Sequence, residues 1–235
     1  MDGVFDGLTL DDFNDDIYRN IASLRGSQDL YDDLSDSPES WQAATDLEMT
    51  SKPYTYDSAH PIIDRPFEEA AFNEAISYPF ENWSKTRYSD GSFGVWYGAD
   101  SLKTSIYETV YHWRSVLLED AGWGDLNGVV GERKVYIVRC NAALLDFVPK
   151  LKKHPALIDP APGGNFLTHQ VGARIHHDGH PGLISRSARY EDGLIYAIFK
   201  SQVLSDPRQF CYLTYRVQDG SVAIERQPGE QLMRI

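Results

Sequence analysis

The sequence predicts an α+β protein, with a compact mixed sheet, flanking helices and an acidic helical N-terminal extension. Short apolar runs typical of strands outnumber helical windows in the C-terminal half. Strands and helices do not alternate regularly, and the sequence contains no internal repeat and no low-complexity tract. These observations favour a mostly antiparallel or mixed sheet over a doubly wound parallel one.

Composition and charge limit the classes of function. The chain has 235 residues, of which 42% are hydrophobic and 12% aromatic, enough for a sizeable core. Its net charge of −13 disfavours non-specific binding to nucleic acid or to an anionic membrane, so an anionic ligand needs a locally positive pocket. Cys140 and Cys211 lie in apolar runs, as core thiols of a reduced protein do. We see no signal peptide or membrane span and expect a cytoplasmic protein.

The N-terminal extension, residues 1–79, is predicted to be acidic and helical. The first 40 residues contain eleven Asp and Glu but only two Arg. Leu10, Phe13 and Ile17 recur at helical spacing, and a second helix is predicted over residues 37–47. The extension is either a solubilising cap or a segment that regulates access to a positive site, and the sequence leaves both readings open.

A β-hairpin followed by a long helix is predicted in the middle of the chain. A short helical piece, PFEEAAFNEAISY, leads to FENWSKTRY and SFGVWYGA, two strand-like runs that flank a turn at Asp90 and Gly91. From Leu102 to Leu117 the apolar residues fall on one helical stripe, and Glu108 lies on the opposite face.

The C-terminal part predicts one further helix among several strands. The runs RKVYIVRCNAALLDF, GLISRSAR, LIYAIF and QFCYLTYRV are predicted strands, THQVGARIHHDG is a predicted helix, and KLKKHP is a predicted exposed basic loop.

Arg87 and Tyr97 are candidate ligand-binding residues on either side of the predicted turn. The planar guanidinium of Arg87 can donate a fork of hydrogen bonds to a diphosphate, although an ordinary salt bridge is the alternative. The ring of Tyr97, between Gly94 and Gly98, can stack on a base, or it can belong to the core with its aromatic neighbours. Both residues share one face of the sheet only if the hairpin contains a bulge, which we predict.

Glu108 and Ser187 are candidates for the chemical step. A carboxylate beside a sugar carbon that loses its leaving group stabilises an oxocarbenium-like transition state, whereas a solvent-exposed glutamate is the default alternative. Ser187 can orient the ligand by hydrogen bonding, and no motif around it indicates a nucleophile. Arg186 and Arg189 beside it add positive potential.

A histidine cluster, RIHHDGHPG, offers a metal site as an alternative. Its members are His176, His177, Asp178 and His180. Adjacent residues seldom point at one ion and the Asp-Gly pair indicates a turn, so we predict no metal. Walker, GxGxxG, HExxH and CxxC motifs do not occur in the sequence.

Five ordered blocks between residues 80 and 217 resemble the RES domain, which is named for its arginine, glutamate and serine. These blocks are RY, FGVWYGA, TSIYETVYH, HQVGARI and the segment from GLISRSAR to LIYAIF. By position, Arg87, Glu108 and Ser187 correspond to the three residues of the name, and Tyr97 corresponds to the family's tyrosine. The chain departs from the family where Ser185 and Arg186 replace a common tyrosine-proline pair.

The resemblance implies a catalytic domain over residues 80–235, with a fold like that of ADP-ribosyltransferase toxins. RES toxins are paired with an Xre-like antitoxin, and they break the nicotinamide-ribose bond of NAD by hydrolysis, by phosphorolysis or by transfer of ADP-ribose to a protein. The resemblance thus implies NAD as the substrate, with no cofactor and no metal. The implied catalytic and substrate-binding residues are Arg87, Tyr88, Tyr97, Glu108, Ser187 and Arg189.

The leading hypothesis is an NAD glycohydrolase or phosphorylase that depletes NAD and arrests growth until an antitoxin neutralises it. The first alternative is a mono-ADP-ribosyltransferase that modifies a protein. The second is a non-catalytic module that binds NAD or a partner, and the third is a metal-dependent hydrolase that uses the histidine cluster. The acceptor of ADP-ribose, a homodimer and the role of the acidic extension remain open.

Overall fold

The computed structural model describes residues 3–22, 72–114, 126–158, 165–227 and 229–235. Within them the strands are β1 (Thr9–Ala22), β2 (Trp96–Ala99), β3 (Val130–Asp146), β4 (Gly182–Arg186), β5 (Leu194–Ile198), β6 (Leu204–Gln218), β7 (Ser221–Gln227) and β8 (Glu230–Arg234). The helices are α1 (Tyr78–Glu81), which continues a π-helical turn at Asn73–Ser77, then α2 (Leu102–Tyr111) and α3 (Asn165–His177). Short 3-10 turns occupy Val148–Lys150, Pro155–Leu157 and Ser201–Val203.

The eight strands form one mixed sheet in the order β1-β2-β5-β4-β3-β6-β7-β8. Because β1 also pairs with β3, the strands β1, β2, β5, β4 and β3 close into a ring, and β6 to β8 continue outward from β3. Among the described strands only β3 and β4 pair in parallel. The predicted α+β class with a mixed sheet is therefore confirmed.

Strand β1 corrects the prediction of an N-terminal helix. It pairs with β3 in antiparallel register from Thr9 opposite Asp146 to Ala22 opposite Arg133. Phe13 and Ile17 are four residues apart, a spacing that fits both a helical stripe and every second position of a strand. Both side chains pack in the same hydrophobic cluster. The helix predicted over residues 37–47 lies outside the described residues, and the boundary at residue 79 stays a prediction.

The predicted β-hairpin is also wrong, although its turn is present. Helix α1 occupies the start of the first predicted strand, and only an isolated bridge joins Lys85 to Asp90. Gly91 adopts a φ of +102°, as expected for a glycine turn. Strand β2 instead pairs with β5 along its length, since its apolar residues are buried on both faces of the sheet.

Three hydrophobic clusters hold the layers together. On one face of β2, β4 and β5 the core contains α3 residues such as Val171 and Ile175. The opposite face, inside the strand ring, packs Trp96 and Ile17. Helix α2 packs on β3, β6 and β7 in the third cluster through Ile106. Each layer thus carries one element of the site described below.

Most of the remaining predicted elements are confirmed. The structure contains β3, β4, β5, β6 and α3 at the predicted runs, whereas β7 and β8 were not predicted. Cys140 and Cys211 are buried free thiols, and burial raises the pKa of Cys140 to about 12. Among the described residues, none of the helices is long and apolar enough to cross a bilayer.

Candidate functional site

Helix α2 presents Glu108 away from the core. The helix begins after Ser101, whose hydroxyl accepts a hydrogen bond from the Thr104 amide at 3.1 Å. Ile106 and Val110 are buried against the sheet, as predicted from the apolar stripe. Glu108 therefore lies on the opposite side, where the loop after β4 approaches.

The β4–β5 loop lies directly against the first turn of α2. A Cβ atom on Gly193 would lie 2.5 Å from the side chain of Thr104, so only glycine permits this approach. The same loop is closed by a hydrogen bond from the Ser187 amide to the Gly193 carbonyl at 2.9 Å. This close contact brings Ser187 next to Glu108.

Glu108 and Ser187 form a short hydrogen bond. The Ser187 hydroxyl donates to Oε1 of Glu108 at 2.6 Å, and the Ala188 amide donates to the same oxygen at 3.1 Å. The Ser187 oxygen in turn accepts from the amides of Arg189 at 3.0 Å and Tyr190 at 2.9 Å. The hydroxyl thus uses its one donor on Glu108 and its two acceptor positions on backbone amides, and its role as an orienting rather than a nucleophilic serine stays a prediction.

Arg87 completes the predicted triad. Its Nη2 lies 3.9 Å from Oε2 of Glu108, and the two side chains are only 15% and 16% exposed. Its Nη1 is buried and has no hydrogen-bond partner within the part of the chain that the structure describes. A buried N–H without a partner is costly, so this atom is well placed to donate to a ligand.

The loop that carries Arg87 is held by β2 and α3. The Tyr97 hydroxyl accepts from the Tyr88 amide and donates to Oγ1 of Thr86, both at 3.0 Å. From α3, His169 Nε2 lies 2.8 Å from the Thr86 carbonyl oxygen. A Cβ on Gly172 would lie 1.7 Å from the Tyr88 carbonyl oxygen, so the helix contacts this loop through a glycine. Arg87 and Tyr97 are therefore brought together, but by a loop and not by a bulged hairpin.

The two tyrosines of this region serve the scaffold. Burial raises the pKa of Tyr97 to about 12, so its hydroxyl stays a donor at neutral pH. Its ring packs against the α3 cluster, and stacking on a ligand stays a prediction. Tyr88 is fully buried, and its hydroxyl is 3.4 Å from the Leu157 carbonyl oxygen. The structure places the Tyr88 side chain in the core, and a substrate-binding role for this residue stays a prediction.

Arg189 supplies a second positive group. Its guanidinium carbon lies 3.2 Å from the centre of the Tyr111 ring, a stacked arrangement, and its buried Nε has no hydrogen-bond partner among the described residues. Burial lowers the pKa of Arg189 and the charge of Arg87 lowers it further, whereas Tyr111 and Glu108 raise it. Arg186, predicted to add positive potential, is exposed and donates to the Glu191 carbonyl at 3.1 Å.

A cleft of about 670 Å³ opens beside these residues. One wall contains Ser187, Arg189 and Tyr190, and the other contains Pro155 and Ile158. Its size is in the range of small-molecule sites, which are commonly 300–1,000 Å³. Arg189 and Glu191 are the charged residues of its lining, and Ser187 connects the lining to Glu108, which faces Arg87. Guanidinium groups suit an anionic ligand, and a carboxylate suits an electron-poor sugar carbon.

The histidine cluster is not organised as a metal site. The His176 ring stacks on Phe93 with centroids 4.4 Å apart, and Nδ1 of His177 lies 3.0 Å from a carboxylate oxygen of Asp178. Among the residues that the structure describes, no three His, Cys, Asp or Glu side chains are grouped so that they could hold an ion. The metal-dependent alternative gains no support.

Side chains of β1 and β3 that support the region around the site were not among the predicted residues. Arg19 donates to the Tyr97 carbonyl at 2.8 Å, and Asn20 is bonded to Arg133. One signal was available, because Arg19 is one of only two cations in an acidic stretch of 40 residues. The Ala188 amide gave no signal, since backbone donors are not visible in a sequence.

Comparison with known proteins places the chain in a family. Residues 62–223 match the family model of the RES domain. Among solved structures, the crystal structure of the M. tuberculosis MbcT-MbcA toxin-antitoxin complex is similar at 12% sequence identity and a TM-score of 0.41, covering 90% of this chain and 87% of that one. No curated protein matches the sequence. Because the RES family model matches more than half of the chain, the chain belongs to the RES domain family.

Proposed function

We propose that this protein cleaves the nicotinamide-ribose bond of NAD, as a glycohydrolase or phosphorylase, and thereby arrests growth as the toxin of a toxin–antitoxin pair. The carrying observation is the convergence of Arg87, Glu108 and Ser187, from three separate elements, next to a cleft that Ser187 lines. Membership of the RES family supports the activity, because these are the residues after which the family is named.

NAD fits the charges of the cleft. Its diphosphate can accept hydrogen bonds from the unpartnered N–H groups of Arg87 and Arg189. The chain carries a net charge of −13, so two neighbouring guanidinium groups give a locally positive region that the dianionic diphosphate can use. Substrate binding is thus assigned to the arginines, with Ser187 close to the reacting sugar.

Glu108 is assigned to the chemical step. The bond between C1′ of the ribose and the nicotinamide nitrogen breaks, and its electron pair leaves with neutral nicotinamide. The ribosyl cation that develops is stabilised by the negative Oε2 of Glu108, while Oε1 is held by Ser187 and Ala188. Attack by water gives ADP-ribose and a proton, and attack by phosphate gives ADP-ribose 1″-phosphate.

The proposed partner is an Xre-like antitoxin, on the basis of the family alone. A toxin that removes NAD has to be neutralised in the cell that makes it, and the cytoplasm is the compartment in which both proteins and the NAD pool meet. We assign no cofactor, because NAD is consumed as the substrate.

Nicotinamide release by the purified chain tests the proposal. The assay is run with and without phosphate, beside Glu108→Ala. Release that this variant abolishes supports NAD cleavage, and dependence on phosphate separates phosphorolysis from hydrolysis. If labelled ADP-ribose becomes attached to a protein, the activity is transfer. Binding without release would instead identify a non-catalytic module and overturn the proposal.

A further inference from the structure

Strand β1 lies outside residues 62–223, yet residues near its C-terminal end contact the elements that carry the site. Arg19 Nη1 donates to the Tyr97 carbonyl at 2.8 Å, and its guanidinium lies 5.4 Å from the centre of the Trp96 ring. The Tyr97 hydroxyl anchors the loop of Arg87. Arg19 thus fixes the strand from which that anchor extends.

Asn20 begins a second connection, which reaches helix α2. Arg133 Nε donates to Asn20 Oδ1 at 3.0 Å, and Asn20 Nδ2 donates to the Tyr215 hydroxyl at 2.9 Å. The Tyr215 and Thr109 hydroxyls are 2.9 Å apart, and Thr109 donates to the Ser105 carbonyl at 2.7 Å. Because Thr109 has one hydroxyl hydrogen and uses it within the helix, Tyr215 is the donor between them.

This chain of hydrogen bonds is oriented and shielded from water. Asn20, Arg133 and Tyr215 are 8%, 9% and 0% exposed. Loss of any one member leaves a buried polar atom without a partner, which the protein relieves by moving the helix or admitting water. Thr109, where the chain ends, is the residue after Glu108.

We propose that Asn20 and Arg19 of β1 are positioning residues of the active site: Asn20 holds α2, and with it Glu108, through Tyr215 and Thr109, and Arg19 holds Tyr97 and the Arg87 loop. The proposal rests on the proposed function for the reaction that it affects. It adds to that function a segment that the family match does not include.

The first test compares Asn20→Ala, Tyr215→Phe and the double variant in nicotinamide release from NAD. Misplacement of the carboxylate is expected to lower kcat about tenfold or more while KM stays within about twofold. Because both residues act through one chain, the double variant is expected to be no slower than about the worse single variant. The matched control is Asn14→Ala, since Asn14 also bonds a β3 arginine from β1, at the exposed end of the strand.

Arg19→Met is predicted to act differently. It loosens the Arg87 loop, so KM for NAD is expected to rise about tenfold with a smaller change in kcat. Arg139→Met is its control, because Arg139 is a half-exposed arginine on β3 that contacts the carboxylates of Asp15 and Asp16 and the Asn14 side chain on β1.

Unchanged kcat in folded Asn20→Ala and Tyr215→Phe, or losses that multiply in the double variant, would overturn the proposal. If Asn20→Ala does not fold, Tyr215→Phe decides, since it keeps the ring against Trp113. If the wild type releases no nicotinamide, the proposed function fails, and amide hydrogen exchange of α2 decides on the positioning role. Faster exchange in the two variants than in wild type and Asn14→Ala supports it, and equal exchange overturns it.

Discussion

Two glutamates of this protein each meet a cation and a hydroxyl, but of these two clusters only that of Glu108 has a buried donor without a partner among the described residues. Glu74 accepts from Nζ of Lys134 at 2.9 Å and from the Tyr136 hydroxyl at 2.5 Å. Glu108 accepts from the Ser187 hydroxyl at 2.6 Å, whereas Nη2 of Arg87 lies 3.9 Å from its Oε2. Nη1 of Arg87 has no hydrogen-bond partner among the described residues. Of the two clusters, only the second therefore has a buried donor that lacks a partner among the described residues.

This contrast distinguishes a structural ion pair from a ligand site. Lys134 uses its charge on Glu74, and its side-chain hydrogen bonds and neighbouring charges together raise its pKa despite partial burial. Nη1 of Arg87 and Nε of Arg189 are buried and have no hydrogen-bond partner among the described residues, and Arg189 lines the cleft. Such groups are expensive to bury unless a ligand completes them, so the cluster of Glu108 is the one that we expect to bind and react.

The largest effect is expected from removing the charge of Glu108. Glu108→Gln keeps the size of the side chain and a hydrogen-bond acceptor for Ser187, so the fold should persist. Turnover of NAD should fall about a thousandfold, because the developing ribosyl cation loses its counter-charge. Growth of cells that express the variant, together with their NAD content, measures the effect, and growth arrest by Glu108→Gln at wild-type protein level would count against the role.

A second test exchanges the guanidinium for an ammonium. Arg87→Lys keeps the positive charge but loses the fork of donors, so kcat/KM for NAD should fall about a hundredfold. Initial rates over a range of NAD concentrations measure it. Arg139→Lys, at a side chain of β3 that is 39% exposed, serves as the control and should leave kcat/KM unchanged. Equal kcat/KM in Arg87→Lys would show that the unpartnered N–H groups do not bind the substrate.

The third change removes the hydroxyl that orients Glu108. Ser187→Ala takes a donor from the carboxylate and an acceptor from the amides of Arg189 and Tyr190. We expect about a tenfold loss in kcat and a loss of about 1–3 kcal/mol in the free energy of unfolding. Denaturant unfolding and steady-state kinetics measure both, beside Ser221→Ala, whose hydroxyl bonds the Gln218 carbonyl in the β6–β7 turn. A complete loss of activity would instead indicate a covalent role for the serine.

The smallest effects distinguish the tyrosines of the two clusters. Tyr97 and Tyr136 each have a pKa of about 12 in the folded protein, raised from 10.0 first of all by burial. Their protonated forms stabilise the fold fully below about pH 10, and this contribution is lost as pH rises through about 12. Replacing either with Phe should make the alkaline loss of stability less steep.

Activity then separates the two tyrosine variants. Tyr97→Phe frees the Arg87 loop and should lower kcat/KM for NAD a few fold, about three to ten. Tyr136→Phe should not change it, since its hydroxyl donates to Glu74 in the other cluster. Unfolding measured between neutral and alkaline pH gives the slopes, and nicotinamide release gives the activity. Equal losses of activity in both variants would remove the distinction between the clusters.

Local sequence patterns predicted the elements whose periodicity is unambiguous. The apolar stripe from Leu102 to Leu117 predicted α2 and placed Glu108 on its opposite face, and the apolar run around Val138 predicted β3. The end of the stripe, from residue 115 onward, lies outside the described residues. Strand β1 was missed because Phe13 and Ile17 satisfy both periods. Its partner β3 is more than a hundred residues away, and pairing over that distance leaves no local signal.

The site was predicted in its residue types and not in its geometry. The family blocks indicated Arg87, Glu108 and Ser187, which the structure brings together. The hairpin that was to join Arg87 and Tyr97 does not form, because β2 pairs with β5. Tertiary pairing overrode the local turn signal, as it commonly does in sheets.

The most direct measurement compares nicotinamide release from NAD by wild type, Glu108→Gln and Glu74→Gln in one assay. We expect the wild type to release nicotinamide and Glu108→Gln to do so at a rate about a thousandfold lower. Glu74→Gln should match the wild-type rate within about twofold and lose at most about 1 kcal/mol in the free energy of unfolding. Release that survives in Glu108→Gln, or no release by folded wild-type protein free of any partner, would contradict these expectations.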